Sequence, residues 1–327
     1  MTYSYYSPGS GTVPNPQPLG MPPGPAVCAG EPINVVVACD LGRAIVGIVD
    51  GQEAWRVNYP NHWPRAIEIF EGLLYVGIGG RIYAFNPKTG FMHREIVIPN
   101  PPANIVGLRI TRWNGSEPHV ACTFDLNGAG SVAVYTLSEM TLTTVFVNPQ
   151  IAIHPRCAEW LGGWVFVCDT FRHLFYAVDV ASGGAWRVST EIYYPNYVQM
   201  ISVEEALITE EHSNRIVRWK YTDPESFIVE CAAPVAPYGD PSKRVADIMA
   251  AENGTLYPDS AFTPKKSLCS DEAQGAKLTL YSPNSARLYG DDLLISNTDN
   301  HHVIVVRDGV VVTEITGFNN PVTAVLF

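Results

Sequence analysis

A strand–turn–strand unit recurs along this chain, and it constrains the fold more than any other feature. VVVACDLGRAIVGIVDG from Val35, LLYVGIGGRIYAFNPKTG from Leu73, VFVCDTFRHLFYAVD from Val165, ALITEEHSNRIVRWKY from Ala206 and LLISNTDNHHVIVVRDG from Leu293 each hold two apolar runs around a turn. A second recurrence is a proline followed by a short alternating strand, in WPRAIEI, HPRCAEW, YPNYVQMI, SPNSARLY and NPVTAVLF. These prolines are Pro64, Pro155, Pro195, Pro283 and Pro321. Proline suits the first residue of a strand, where no ladder donor is lost. Each unit therefore reads as strand a after the proline, strand b, a b–c turn, strand c and strand d.

The residues that open strand c are Ile45, Ile82, Val132, Leu174, Ile216 and Val303, at intervals of 37, 50, 42, 42 and 87 residues. Four-stranded units of about 40–50 residues are the blades of a propeller. The expected fold is all-β: a six-bladed β-propeller over residues 34–327, with seven blades as the alternative. The last interval is about twice a blade, so residues 232–282 are expected to be an insertion or a degenerate extra blade. Within them, residues 240–254 read as a short helix, with an Asp-Pro-Ser start and a Gly stop.

The ends of the pattern fit a closed ring. NPVTAVLF has the form of a strand a with no b, c or d after it. The unit from Asn34 has b, c and d but no proline-led strand a before it. Pairing the two completes one blade and removes two exposed sheet edges.

Residues 1–33 differ from the rest. They carry eight prolines, several glycines and the tyrosines Tyr3, Tyr5 and Tyr6. Proline fixes φ and donates no backbone hydrogen bond, so this stretch is expected to be an extended arm rather than helix or sheet over its length. The tyrosines are the candidate anchors by which such an arm docks on another subunit.

Lys and Arg number 21 against 32 Asp and Glu, a formal net charge of -11. A chain this acidic, with no basic cluster, is a poor partner for nucleic acid. No apolar run is long enough to span a membrane. The seven cysteines contain no C-x-x-C pair, and several lie inside apolar strand-like runs, so buried free thiols are expected. The N-terminal residues lack the basic and apolar regions of a signal peptide, and synthesis in the cytoplasm is the expectation.

The b–c turns Cys168-Asp169-Thr170-Phe171-Arg172-His173-Leu174 and Ser296-Asn297-Thr298-Asp299-Asn300-His301-His302-Val303 resemble the NHL repeat, and Ser213-Asn214-Arg215-Ile216 resembles its second half. That resemblance implies a β-propeller, commonly six-bladed, used mostly for binding and sometimes for catalysis. In an antiparallel blade the b–c turns and d–a connections share one face, here called the top. His62, Arg65, His154, Arg156, Asp169, His173, Glu210, Glu211, His212, Asp299, His301 and His302 fall there and are the candidate binding residues. His93 and His119 do not. Asp, Thr and Asn in such turns can also serve only to hold the backbone.

No metalloprotease, P-loop or nucleophile-elbow motif occurs, and no catalytic residue is assigned. The lactonase relatives that the resemblance brings in use carboxylates and an amide around a central divalent metal. Glu68 and Glu159, at equivalent strand a positions, are the carboxylates that could point inward here. The amidating-lyase relatives use histidines and zinc. No cofactor is assigned, with a divalent metal in the channel as the one possibility kept open. The expected function is a non-enzymatic structural or interaction propeller, resembling a virion component such as a phage tail or attachment protein. It would act in a homo- or hetero-oligomer with other protein subunits. The alternative is a metal-dependent lactonase or lyase.

Overall fold

The computed structural model describes residues 25–115, 117–125, 130–146, 152–189, 192, 194–202, 205–212, 214–220, 229–230, 280–308 and 310–327. Its strands form six antiparallel blades. Blade 2 is Ala66–Phe70, Leu73–Ile78, Arg81–Phe85 and Met92–Val97, from the innermost strand a to the outermost strand d. Blade 3 is Asn104–Thr111, His119–Asp125, Ser131–Thr136 and Leu142–Phe146. Blade 4 is Pro155–Leu161, Trp164–Asp169, Leu174–Asp179 and Ala185–Ser189. Blade 5 shows three strands among the described residues, Pro195–Ser202, Glu205–Glu210 and Arg215–Lys220. Blade 6 is Pro283–Tyr289, Asp292–Asn297, His302–Arg307 and Val310–Thr316.

Blade 1 joins the two ends of the chain. Its strand a is Pro321–Leu326, and strands b to d are Val35–Cys39, Ala44–Val49 and Gln52–Asn58. The pairing runs from Val35 opposite Leu326 to Cys39 opposite Pro321. The six strands a then pack each against the next in an unbroken ring. The expected ring closure is therefore the observed one, and every residue proposed to open a strand c lies at or next to the start of one.

Six apolar clusters, one at each interface between neighbouring blades, make up the core. A blade is covered on both sides, so its middle strands must be apolar on both. Val36 and Ala38 face blade 2, while Val35, Val37 and Cys39 face blade 6. This explains why VVVAC is continuously apolar where a half-exposed strand would alternate. Trp55 closes one such interface. A Cβ on Gly47 would lie 2.1 Å from its indole ring, so the ring occupies the space that a larger residue would need.

Two features differ from the sequence reading. Five residues of the expected arm, Ala26–Gly30, are a β-strand. They pair with strand d of blade 6, Ala26 opposite Thr316 and Gly30 opposite Thr313, and touch strand d of blade 1 at Gln52. The proline density that suggested an arm falls mostly upstream of Ala26, and AVCAG itself has no proline. Gly30 is required there: its φ is +102° and a Cβ would lie 2.0 Å from the Val312 carbonyl oxygen. The second difference concerns the approach to the insertion. Val229–Glu230 pairs with strand d of blade 4, not with its own blade. Residues 231–279, including the expected helix at 240–254, and residues 1–24, including Tyr3, Tyr5 and Tyr6, lie outside the described residues.

Candidate functional site

The inner face of the propeller carries an ionic network. Arg109 Nη1 lies 2.6 Å from Glu68 Oε2 and its Nε lies 2.9 Å from Glu159 Oε1. Arg287 Nη1 adds a second contact to Glu68 Oε2 at 3.1 Å and donates to the Ile67 carbonyl at 3.2 Å. Its guanidinium also stands 5.1 Å over the Tyr197 ring. Gln199 pairs with the Leu288 backbone through both ends of its amide. Burial pushes the Glu159 carboxyl up, against the opposing pull of Arg109. Burial would lower the Arg109 guanidinium, but Glu159 and Glu68 hold it well above its ordinary value.

Glu68 and Glu159 thus point inward, as strand a placement requires, but they face guanidinium groups. A divalent cation would have to displace Arg109 from both carboxylates. Among the described residues no group of three or more His, Cys, Asp or Glu is placed to hold a metal ion. The other members of the network were missed at the sequence level, although a signal exists. Glu68, Glu159, Gln199 and Arg287 each stand four residues after the strand a prolines Pro64, Pro155, Pro195 and Pro283. Four long polar side chains at one offset in a repeat must share one radial layer.

Above this layer, the top-face residues separate into small groups. Arg65 pairs with Asp40. His154 Nδ1 lies 2.8 Å from Asp125 Oδ2, and burial lowers its pKa. Glu211 takes hydrogen bonds from Asn196 at 2.7 Å and Asn284 at 3.5 Å. Burial likewise lowers the pKa of His62. Glu210 is fully buried at the end of strand b of blade 5.

Three of the turn residues do structural work at the blade junctions. His173, Asn214 and His301 all adopt left-handed φ, between 51° and 59°, as the fourth residue of their b–c turns. The backbone N–H of each donates back three residues, to Thr170, Glu211 and Thr298. Their side chains then accept the N–H of the residue before the next strand a proline. His173 Nδ1 takes Tyr194 at 3.1 Å, Asn214 Oδ1 takes Ser282 at 2.7 Å and His301 Nδ1 takes Asn320 at 3.2 Å. Asp299 accepts from the Asn320 side chain at 3.3 Å. His302 pairs at 2.7 Å with Glu314, which is fully buried.

Asp169 is an anchor of the same kind. Its carboxylate accepts from the backbone of Ile153, His154 and Arg172 at 2.6, 3.0 and 3.3 Å. Burial nonetheless pushes its pKa up to about 6.

One set of top-face side chains does come together. The His154 ring stacks on Phe171 at 4.3 Å, and Phe171 meets Tyr194 edge-on at 6.1 Å. Tyr194 contacts His173 at 4.7 Å and His212 at 4.2 Å. Phe171 is 54% exposed. Leu41, Trp63 and Tyr281, also in top-face loops, are 63%, 47% and 54% exposed, and Arg43 lies over the Trp63 ring at 5.4 Å. These apolar residues carry none of the charged groups or imidazoles by which the face is recognised in the sequence.

The closed ring of blades, with an ion-paired channel and loops on one face, defines a six-bladed β-propeller. No family model matches the sequence, and no curated protein resembles it closely enough to register. Among solved structures, a functionally unknown protein from Desulfotomaculum acetoxidans DSM 771 is similar at a TM-score of 0.57 and 11% identity, over 90% of this chain and 98% of that one. The computationally designed Ika8 protein is similar at a TM-score of 0.51 and 11% identity, over 91% of this chain and 89% of that one. At such identity the likeness is one of fold alone.

Proposed function

We propose that this chain is a non-enzymatic interaction propeller that presents its top face to a partner protein and serves as a subunit of a larger assembly. One contrast carries the reading. Glu68, Arg109, Glu159 and Arg287 are paired with one another in the channel, while Leu41, Trp63, Phe171 and Tyr281 stand exposed around the top face. Aromatic and large apolar side chains in loops over a rigid ring are the usual anchors of a protein interface. The prolines and tyrosines of residues 1–24 fit a docking element, since proline lowers the entropy lost on ordering. A virion tail or attachment component is the assembly such an element suggests, and that assignment rests on the arm composition. The left-handed fourth residue of the b–c turns supports an NHL-like repeat.

The test is assembly in the native source. The protein should co-purify with a stoichiometric partner, and Trp63→Asp with Phe171→Asp should release it without lowering the melting temperature. Turnover of lactones or amidated peptides by the purified chain with calcium or zinc would overturn the reading.

A further inference from the structure

The top mouth of the channel holds a guanidinium, that of Arg156, which makes no direct contact with the carboxylates around it among the described residues. Arg156, the second residue of strand a of blade 4, and Arg65 both line a cavity of about 30 Å³ together with Asn196, Asn284, Arg287 and Thr323. The nearby carboxylates make their contacts elsewhere: Asp40 with Arg65, Asp125 with His154, and Glu211 with the two asparagine amides, while one oxygen each of Asp40 and Asp125 is buried without a partner. Deeper in the channel, Glu68 and Glu159 are taken by Arg109 and Arg287. Arg156 has no ion pair or hydrogen bond among the described residues, and its Nε is fully buried.

We propose that Arg156, with Arg65 beside it, forms a recognition site for a single carboxylate group that enters the channel mouth from the top face. A guanidinium matches a carboxylate with two parallel donors, which gives direction as well as charge. Burial and the neighbouring Arg65 lower the pKa of Arg156 to about 10, so the site favours anything that neutralises it. The cavity sets the size of the group that enters it. A water needs roughly 10–15 Å³ of such space, so about 30 Å³ has room for the oxygens of one carboxylate beside the guanidinium. The cavity is open on one side, so the rest of a ligand can extend outward. The two sources with this chemistry are a free organic acid and an acidic side chain of a partner. The site does not depend on what the exposed aromatic residues of the same face bind.

The experiment compares full-length wild type with Arg156→Met, which keeps the volume and removes the charge. Melting temperatures are followed during titration with acetate and, separately, with a capped peptide carrying one glutamate. A ligand that binds the native state raises its melting temperature saturably, whereas bulk salt acts on both proteins alike. Wild type should respond saturably to at least one probe, and the midpoint should rise at least tenfold in the variant. A tighter midpoint for acetate assigns a free acid, and a tighter midpoint for the peptide assigns a partner side chain. Without ligand the variant should melt no lower than wild type, because the guanidinium it removes is half-buried and makes no hydrogen bond or ion pair among the described residues. Parallel responses of the two proteins would overturn the proposal, as would a lower melting temperature of Arg156→Met without ligand. The latter would mean that Arg156 pairs with Asp125 or Glu211 in solution. These outcomes leave the top-face interface untouched, because that reading is tested with Trp63 and Phe171 intact or replaced.

Discussion

His301 Nδ1 accepts a hydrogen bond from the backbone N–H of Asn320 at 3.2 Å, and this bond crosses the seam where blade 6 hands the chain to blade 1. The imidazole is thus the acceptor that a helix cap or turn would otherwise supply. His301→Ala should destabilise the protein by about 0.5–1.5 kcal/mol, the range for one lost hydrogen bond. His301→Asn should recover most of the loss, because Asn214 performs the same task at the blade 5–6 seam and asparagine tolerates left-handed φ. Urea unfolding of the two variants reads the difference; equal losses would show that the side-chain acceptor is not what matters.

Asp169 offers a test in pH. Its pKa is raised from 3.8 to about 6 by burial. The folded state therefore holds a proton that the unfolded chain has already lost, and the stability this group contributes falls as pH rises from about 4 through 6. Asp169→Asn keeps an oxygen acceptor without a charge. Blade 6 already uses Asn297 in the equivalent place, where it accepts the Tyr281 N–H at 2.7 Å. The variant should gain on wild type as pH is raised from about 4 through 6 and level off above that. Asp169→Ala should lose stability throughout, by about 1–3 kcal/mol, because it leaves buried N–H groups unpaired. Denaturation at a series of pH values distinguishes the two.

The channel network should respond to the loss of one partner more than to the loss of all. Arg109→Met leaves Glu159 buried with no guanidinium beside it and should cost about 3–5 kcal/mol. Replacing Glu68, Arg109, Glu159 and Arg287 together by Leu or Met removes every buried charge of the layer. The fourfold variant should unfold at a higher denaturant concentration than the single one. If it is the less stable of the two, the network contributes net stability rather than merely balancing itself.

The fold was legible because propeller physics writes itself into period and pattern. The strand a prolines, the apolar strand pairs and the unmatched strand at Pro321 all survive as local signals. The site was less legible for a reason of geometry. Whether His154 and Phe171 stack, or whether His173 reaches Tyr194, depends on how adjacent blades are rotated, and no spacing within one blade encodes that. The top-face histidines looked like one group by turn position, yet most are spent one by one on a neighbouring backbone or carboxylate. No proline stands four residues before Arg109, where Ile105 lies instead, so the guanidinium that joins Glu68 to Glu159 could not be read from the repeat.

The N-terminal residues give the last test, because the structure divides them. Ala26–Gly30 hydrogen-bonds to strand d of blade 6 over Thr313–Thr316 and bridges to blade 1 at Gln52, so these residues belong to the sheet. Residues 1–24 lie before that strand, carry no charged side chain and hold Tyr3, Tyr5 and Tyr6. Deleting residues 1–24 should leave the melting temperature unchanged and, on the interaction reading, abolish assembly with the partner. Deleting residues 1–30 should lower the melting temperature as well. It exposes the outer edge of blade 6 and removes the strand that ties it to blade 1, and exposed edges invite pairing with other chains. Calorimetry with light scattering on both truncations separates the effects. An unchanged melting temperature for the longer deletion would mean that the strand is held in place by the propeller without supporting it.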